Sequence, residues 1–335
     1  MRLKHKYFFL ILILVNIFFI LIDLNIGSYT SNPFEFIPKL FDANDSTTLQ
    51  ILLNLRLPHV ICAILCGMSL SLVSCILQSI LSNPLASPST VGISQGSACG
   101  AALAIVVFGS TMLSGNVWIT FIFAFFFALI PSFIMFILSK FRYLNPTVII
   151  LCGVSMSVFF GGVITLIEYF SDPSKVSDIL FWMFGSLRNV SWSQLLLMFC
   201  VLVFAFIYSL ANYLKLNAFE TGDDVAFSSG VNILKKRVMF LIVSAICAGT
   251  ITAFCGTINF IGLISPHIVK KFLDNNYKYL IPASVLCGSS LVVIADILSS
   301  IILAGAILPI GAITSFIGAP IFIYILIKMN NYATN

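Results

Sequence analysis

The sequence predicts an all-α polytopic membrane protein of about ten transmembrane helices with both termini cytoplasmic. Three observations predict it. The 335 residues are 60% hydrophobic and 9% charged, with mean hydropathy +1.09, whereas soluble domains carry roughly 25% charge. Apolar runs long enough to span, about 20 residues each, recur along the whole chain. The basic residues gather on alternate sides of those runs. Residues 1–335 therefore read as a single membrane domain, and the net charge of +5 reads as topology and not as a nucleic-acid surface.

The first run, 7–26, follows a basic head, as a signal peptide would, but no small-residue cleavage site follows and more spans do. It is expected to remain as a helix whose N-terminus lies inside. The next six spans are expected at 58–81, 91–109, 117–138, 146–167, 192–213 and 236–256. The eighth, 258–271, is short and holds Pro266, so it is expected to be broken, which membrane depth tolerates only where protein or a water-filled cavity covers the backbone. The last two are 281–303 and 309–328. This map puts Arg2, Lys4, Lys6, Lys140, Arg142, Lys215, Lys235, Lys236, Arg237, Lys270, Lys271, Lys278 and Lys328 inside, and only Lys39, Arg56, Lys175 and Arg188 outside. That is the positive-inside bias of a multi-pass membrane protein. Trp118, Trp182 and Trp192 fall near the outer boundary, where interfacial anchors sit. Gly67 to Pro84 and Gly249 to Pro266 repeat one spacing, a faint echo of the internal repeats common in transporters. The nine cysteines lie in apolar runs without a paired CxxC, and Cys62 with Cys66 has no local His or acid to complete a metal set, so they read as small buried hydrophobes.

The polar interruption AFETGDDVAFSSGVNILKKR, 218–237, lies within or beside the inner segment 214–235, which is too short for a nucleotide-binding domain. It reads as one short helix. Thr221 with Asp224 fits a capping pattern, Asp223 and Asp224 suit the first turn, and Gly230 suits the position just past the end. Val225, Ala226 and Phe227 give it an apolar surface, and Lys235, Lys236 and Arg237 would anchor the next span at the inner membrane surface. Such a helix either joins two spans or docks a cytoplasmic partner.

Three stretches carry a resemblance: RLP followed by a Gly-rich span and NPLA (55–104), GDDVAFSSGVN, and CGTINFIGLISPH with LPIGAITSFIGAPIFIYIL. FWMFGSLRNVSW, 181–192, adds to them. Over about 50–328 the chain resembles the permease family of bacterial ABC importers for iron-siderophores, haem and vitamin B12, which implies a multi-pass protein of the bacterial cell membrane. The resemblance implies a subunit paired with a second permease, identical or related, above two cytoplasmic ATPase subunits and below an external binding protein. It implies that ATP and Mg belong to the ATPase and that this chain holds no cofactor. It makes Asp223, Asp224, Val225, Ala226, Phe227, Ser228, Ser229 and Gly230 the helix that enters a groove on the ATPase, with Ser229 where the family usually has Leu.

At the outer start of the second span, Arg56 and His59 match family positions that meet acids on the binding protein, His59 replacing an Arg. A charge there is costly unless it faces water or a partner, although an arginine can also snorkel to the interface. Two further family charges are Ser300 and Ile307 here. Along the fifth span Gly153, Ser157, Gly161 and Thr165 stand four apart, and the resemblance places this helix beside the translocation pathway, while small residues at that spacing also serve close helix packing. Asp296 is expected to be paired or protonated within its span, and His267 to be a structural hydrogen-bond donor. An ion-coupled secondary transporter would need more intramembrane ionisable groups. A membrane enzyme would need a catalytic set, and His5, His59 and His267 fall apart from one another. The chain has no phosphate-binding Gly-Lys loop. Among cargoes, a ferric siderophore is preferred over haem or cobalamin.

Overall fold

A computed structural model describes residues 2–26, 50–109, 117–140, 145–188, 190–302 and 308–333. The helices are α1 (Arg2–Asn25), α2 (Leu57–Ile80), α3 (Ile93–Phe108), α4 (Val117–Lys140), α5 (Pro146–Tyr169), α6 (Pro173–Phe184), α7 (Trp192–Ala211), α8 (Tyr213–Glu220), α9 (Asp223–Ser228), α10 (Ile233–Cys255), α11 (Ile261–Phe272), α12 (Tyr277–Ile301) and α13 (Ile310–Ala333). A π-helical turn, Leu52–Arg56, leads into α2. No strand is present among the described residues.

The ten expected spans correspond to α1–α5, α7 and α10–α13. Seven of these are long and apolar enough to cross a bilayer, counting the π turn with α2, and α3 and α13 contribute shorter apolar stretches. Local chemistry sets their ends. The Asn145 side chain accepts from Val148 N at 2.8 Å with Pro146 opening α5. Ser191 and Gln194 form a reciprocal capping box on α7, and Asn232 caps α10 by accepting from Lys235 N at 3.1 Å.

Two expectations need correction. The chain is not broken at Pro266, because α11 runs through it. The irregular stretch lies upstream at 256–260, where Gly256 and Phe260 take positive φ. Trp182 is no interfacial anchor: it is 2% exposed on the inner side of α6, a helix whose outer side shows Phe181 and Leu180.

Burial divides the helices sharply. In the most apolar stretch of the second span and of α10, 83% of residues are buried, and 78% in α12, against 22% in α5 and 11% in α1. So α2, α10 and α12 form the interior, and α1, α4, α5 and α7 carry apolar side chains outward, as lipid or a second subunit requires. Without a hydrophobic drive between helices in lipid, close backbone approach holds such an interior together. A Cβ on Gly67 of α2 would stand 2.2 Å from Gly288 O of α12. Beside it, Ser265 Oγ of α11 donates to Ser71 Oγ of α2 at 2.6 Å.

Candidate functional site

The inner segment folds as two short helices, not one. α8 is tied to the end of α2 by Ser79 Oγ donating to Leu216 O and Ser82 Oγ to Phe219 O, each at 2.8 Å. It is tied to α12 by Tyr277 N donating to Asn217 Oδ1 at 2.8 Å. Glu220 accepts from Lys270 Nζ at 2.7 Å on one oxygen and from the Tyr277 hydroxyl at 2.8 Å on the other. Thr221 does not cap α9, since its hydroxyl turns back to Ala218 O at 2.9 Å. The cap position is Gly222, whose φ of 113° suits glycine alone.

Within α9 the residues divide by direction. Ala226 is fully buried, whereas Phe227 is 74% exposed and Val225 49%, with Asp224, Ser228, Ser229 and Gly230 also exposed. Asp223 faces inward to Arg237, whose Nη1 donates to Asp223 Oδ2 at 3.1 Å while Nη2 donates to the other oxygen. Arg237 is fully buried, donates from Nε to Ile80 O at 2.9 Å and covers the Phe219 ring at 5.2 Å. It is therefore not an interfacial anchor. It is the bolt between α9, α10 and the end of α2. No local signal marks this role, because the acid precedes the base across a helix boundary. The arrangement presents an apolar knob, Val225 and Phe227, on a short helix that cannot shift without moving α2 and α10.

On α5 the four small residues do not share one environment. Positions four apart advance about 400° on a helix of 3.6 residues per turn, so three such steps rotate the stripe by about 120°. Gly153 is buried, and a Cβ there would stand 2.3 Å from Thr90 O. Ser157 is half-buried and donates to Gly153 O at 2.9 Å, with Ser89 O at 3.3 Å. Gly161 has open space where a Cβ would be, and Thr165 is exposed. The inner half of the stripe is a helix contact, and the outer half is an open face.

At the outer end, Arg56 and His59 turn inward. Arg56 is 9% exposed and donates from Nη1 to Leu24 O at 2.6 Å. His59 Nε2 stands 2.6 Å from Asp296 Oδ2, in a pair nearly closed to solvent. The expected pairing of Asp296 is thus met by a residue 237 positions away in sequence. Asp23 of α1 is buried at 6% exposure. Ser300 accepts from Arg188 Nη2 at 2.9 Å, so the position that lacks a family charge is approached by another arginine. Ile307 lies outside the described residues. His267 contacts Leu263 O through Nδ1 at 2.8 Å, in the structural role expected of it. Among the described residues no cluster of His, Cys, Asp or Glu is placed to hold a metal.

The motif residues converge in a way the sequence did not show. A Cβ on Gly256 would meet Trp182 O at 2.3 Å and Gly185 Cα at 2.8 Å, and one on Gly311 would meet Phe184 O at 2.6 Å and Thr257 O at 2.7 Å. Ser186 N donates to Cys255 O at 2.9 Å and Thr257 Oγ1 to Met183 O at 2.6 Å. The WMFGS, CGT and PIG stretches therefore form one crossing of α6, α10 and α13.

Residues 12–328 match the FecCD transport family. A protein of Methanocaldococcus jannaschii described as an ABC transporter permease is 37% identical over 97% of this chain and 96% of its own length. The hemin transport system permease of Yersinia pestis is 32% identical over 83% of this chain and 84% of its own. The iron(3+)-hydroxamate import system permease of Bacillus subtilis is 30% identical, covering 95% of both. A solved chain described as a metal-chelate type ABC transporter, in an inward-facing conformation, superposes with a TM-score of 0.85 at 28% identity, covering 96% of this chain and 99% of that one.

Proposed function

The chain belongs to the FecCD transport family, and from that premise we propose that it pairs with a second permease and carries a ferric siderophore inward by alternating access. It is a multi-pass permease of the cell membrane, of the metal-chelate ABC type. In our reading, two ATPase subunits bind its inner face and an external binding protein delivers cargo. Haem or cobalamin is the alternative cargo: the relatives include a hemin permease and a hydroxamate permease.

The observation that carries this reading is α9. Its Val225 and Phe227 project from a helix pinned by Arg237 and Asp223, so force applied at the knob reaches α2 and α10 directly. Replacing Val225 and Phe227 together by Ser, which spares Asp223 and Ala226, is expected to leave membrane insertion and folding intact and abolish co-purification of the ATPase. A Val225→Ser/Phe227→Ser variant that still binds its ATPase and transports would reduce α9 to a connector. Cargo is decided by titrating siderophore, haem and cobalamin against the partner binding protein.

For the pathway, the open half of α5 supports Gly161 and Thr165, and the packed half opposes Gly153 and Ser157. Cysteines at 161 and 165 are expected to react with a polar thiol reagent in a nucleotide-dependent manner, and cysteines at 153 and 157 to stay protected. Uniform protection would move the pathway to another helix. For docking, family position supports Arg56 and His59 while their burial opposes them. Unchanged capture of the binding protein by Arg56→Glu at low salt, where an exposed pair is least screened, would remove Arg56 from that surface.

A further inference from the structure

A cavity of about 710 Å3 opens at the inner end of the molecule between the end of α2, α11 and α13, beside the Glu220–Lys270 pair. Its lining is of three kinds. Gln78 and His267 are the polar interior. Gln78 is 1% exposed and neither its amide nitrogen nor its oxygen has a hydrogen-bond partner among the described residues; His267 is 9% exposed and its Nε2 is likewise without one. A buried primary amide with both ends unmade is costly and uncommon in folded proteins, so these atoms mark a place for a group that both donates and accepts.

The mouth is basic. Each oxygen of Glu220 already accepts one hydrogen bond, from Lys270 and from the Tyr277 hydroxyl. Lys271 is exposed beside them, 6.0 Å from the centre of the Phe272 ring, and enters no ion pair among the described residues. The third part is an apolar wall of Phe272, Ile321, Tyr324 and Ile325, of which the first three face outward like the lipid-facing helices.

We propose that this cavity binds an anionic phospholipid of the inner leaflet whose headgroup carries hydroxyls, of the phosphatidylglycerol class. The phosphate oxygens meet Lys271, the headgroup hydroxyls donate to Gln78 Oε1 or His267 Nε2 and accept from Gln78 Nε2, and an acyl chain lies along Ile321 and Phe272. Basic pockets between membrane helices on the cytoplasmic side recognise headgroups on these grounds. A zwitterionic amine headgroup fits less well, because its ammonium would enter beside Lys270 and Lys271 against a single carboxylate, Glu220, that already accepts from Lys270 and the Tyr277 hydroxyl. The proposal is independent of the cargo and of the transport reading, since it rests on the cavity alone.

The test uses the full chain purified with its partner subunits and followed by native mass spectrometry during titration with phosphatidylglycerol, phosphatidylethanolamine or free glycerol phosphate. Phosphatidylglycerol is expected to bind preferentially, and free glycerol phosphate to fail to displace it. Lys271→Ala is expected to weaken phosphatidylglycerol binding about fivefold, the worth of one basic residue at a membrane surface, and Lys271→Arg to restore it. Gln78→Leu is expected to weaken binding similarly without lowering thermal stability, because it removes both unpaired atoms; if it fails to fold, the Lys271 variants carry the test. Equal retention of both lipids, or displacement by free glycerol phosphate, overturns the proposal. So does a Lys271→Ala variant that loses its ATPase or its transport while its bound lipid is unchanged, which would make this face a protein or cargo surface.

Discussion

The two ends of the molecule bury charge in opposite ways. At the inner end the cation is fully enclosed and the acid partly wet: Arg237 has no exposed side-chain surface and Asp223 retains 34%. At the outer end both members are enclosed, His59 at 14% and Asp296 at 5%. The inner pair joins a guanidinium that donates from Nε, Nη1 and Nη2 to an acid that still meets water and to a backbone oxygen. The outer pair is one contact, His59 Nε2 to Asp296 Oδ2 at 2.6 Å, between two side chains nearly closed to solvent. The inner pair therefore fastens three elements, α9, α10 and the end of α2, and the outer pair joins α2 to α12.

The largest effect should come from breaking the fastener. Asp223→Ala leaves Arg237 buried without its acid, a lesion that costs about 3–5 kcal/mol when the pair is fully enclosed. Because Asp223 is partly wet, the expected loss lies at the lower end, read as a fall in melting temperature of the purified protein. Full stability in that variant would mean that the remaining contacts of Arg237, Ile80 O and the Phe219 ring among them, suffice for it. Next, His59→Ala should destabilise by about 1–3 kcal/mol, the cost of stranding a buried polar group, here Asp296. A larger loss at His59 than at Asp223 would reverse the comparison. Arg188→Ala removes one hydrogen bond to Ser300 and should cost about 0.5–1.5 kcal/mol, checked by the same melting measurement. Smallest of all, Phe227→Ala should stay within about 0.5 kcal/mol of the parent, as surface changes do, while ATPase co-purification falls. A variant that melts early would show Phe227 to be structural.

How much of this was legible in the sequence depends on how far a signal must reach. The spans were legible because hydropathy is local, and their ends moved only by a few residues, as at α5, expected to end at 167 and ending at Tyr169. α6 was not, because Pro173–Phe184 is too short to span and its buried Ile179 and Trp182 alternate with exposed Phe181. The direction of α9 was partly legible: its acids and Gly230 fall where expected, but Gly222 displaced Thr221 as the cap because its positive φ lies outside any side-chain pattern. The stripe on α5 was misjudged because spacing by four ignores helical drift, so Gly153 and Thr165 ended in different surroundings. His59 with Asp296, and Arg237 with Ile80, are contacts across the fold that no window along the chain contains.

The crossing of α6, α10 and α13 has a meaning in time as well as in space. Its three glycines, Gly185, Gly256 and Gly311, enter the membrane in that order as the chain is made. The first two can meet once α10 is inserted. The third arrives only with α13, and until then the backbone oxygens of Phe184 and Thr257 face an empty place that Gly311 will later fill. Insertion of α13 is therefore a closing step, and a nascent chain halted before it should remain open to proteases at this seam although α1–α12 are already in place.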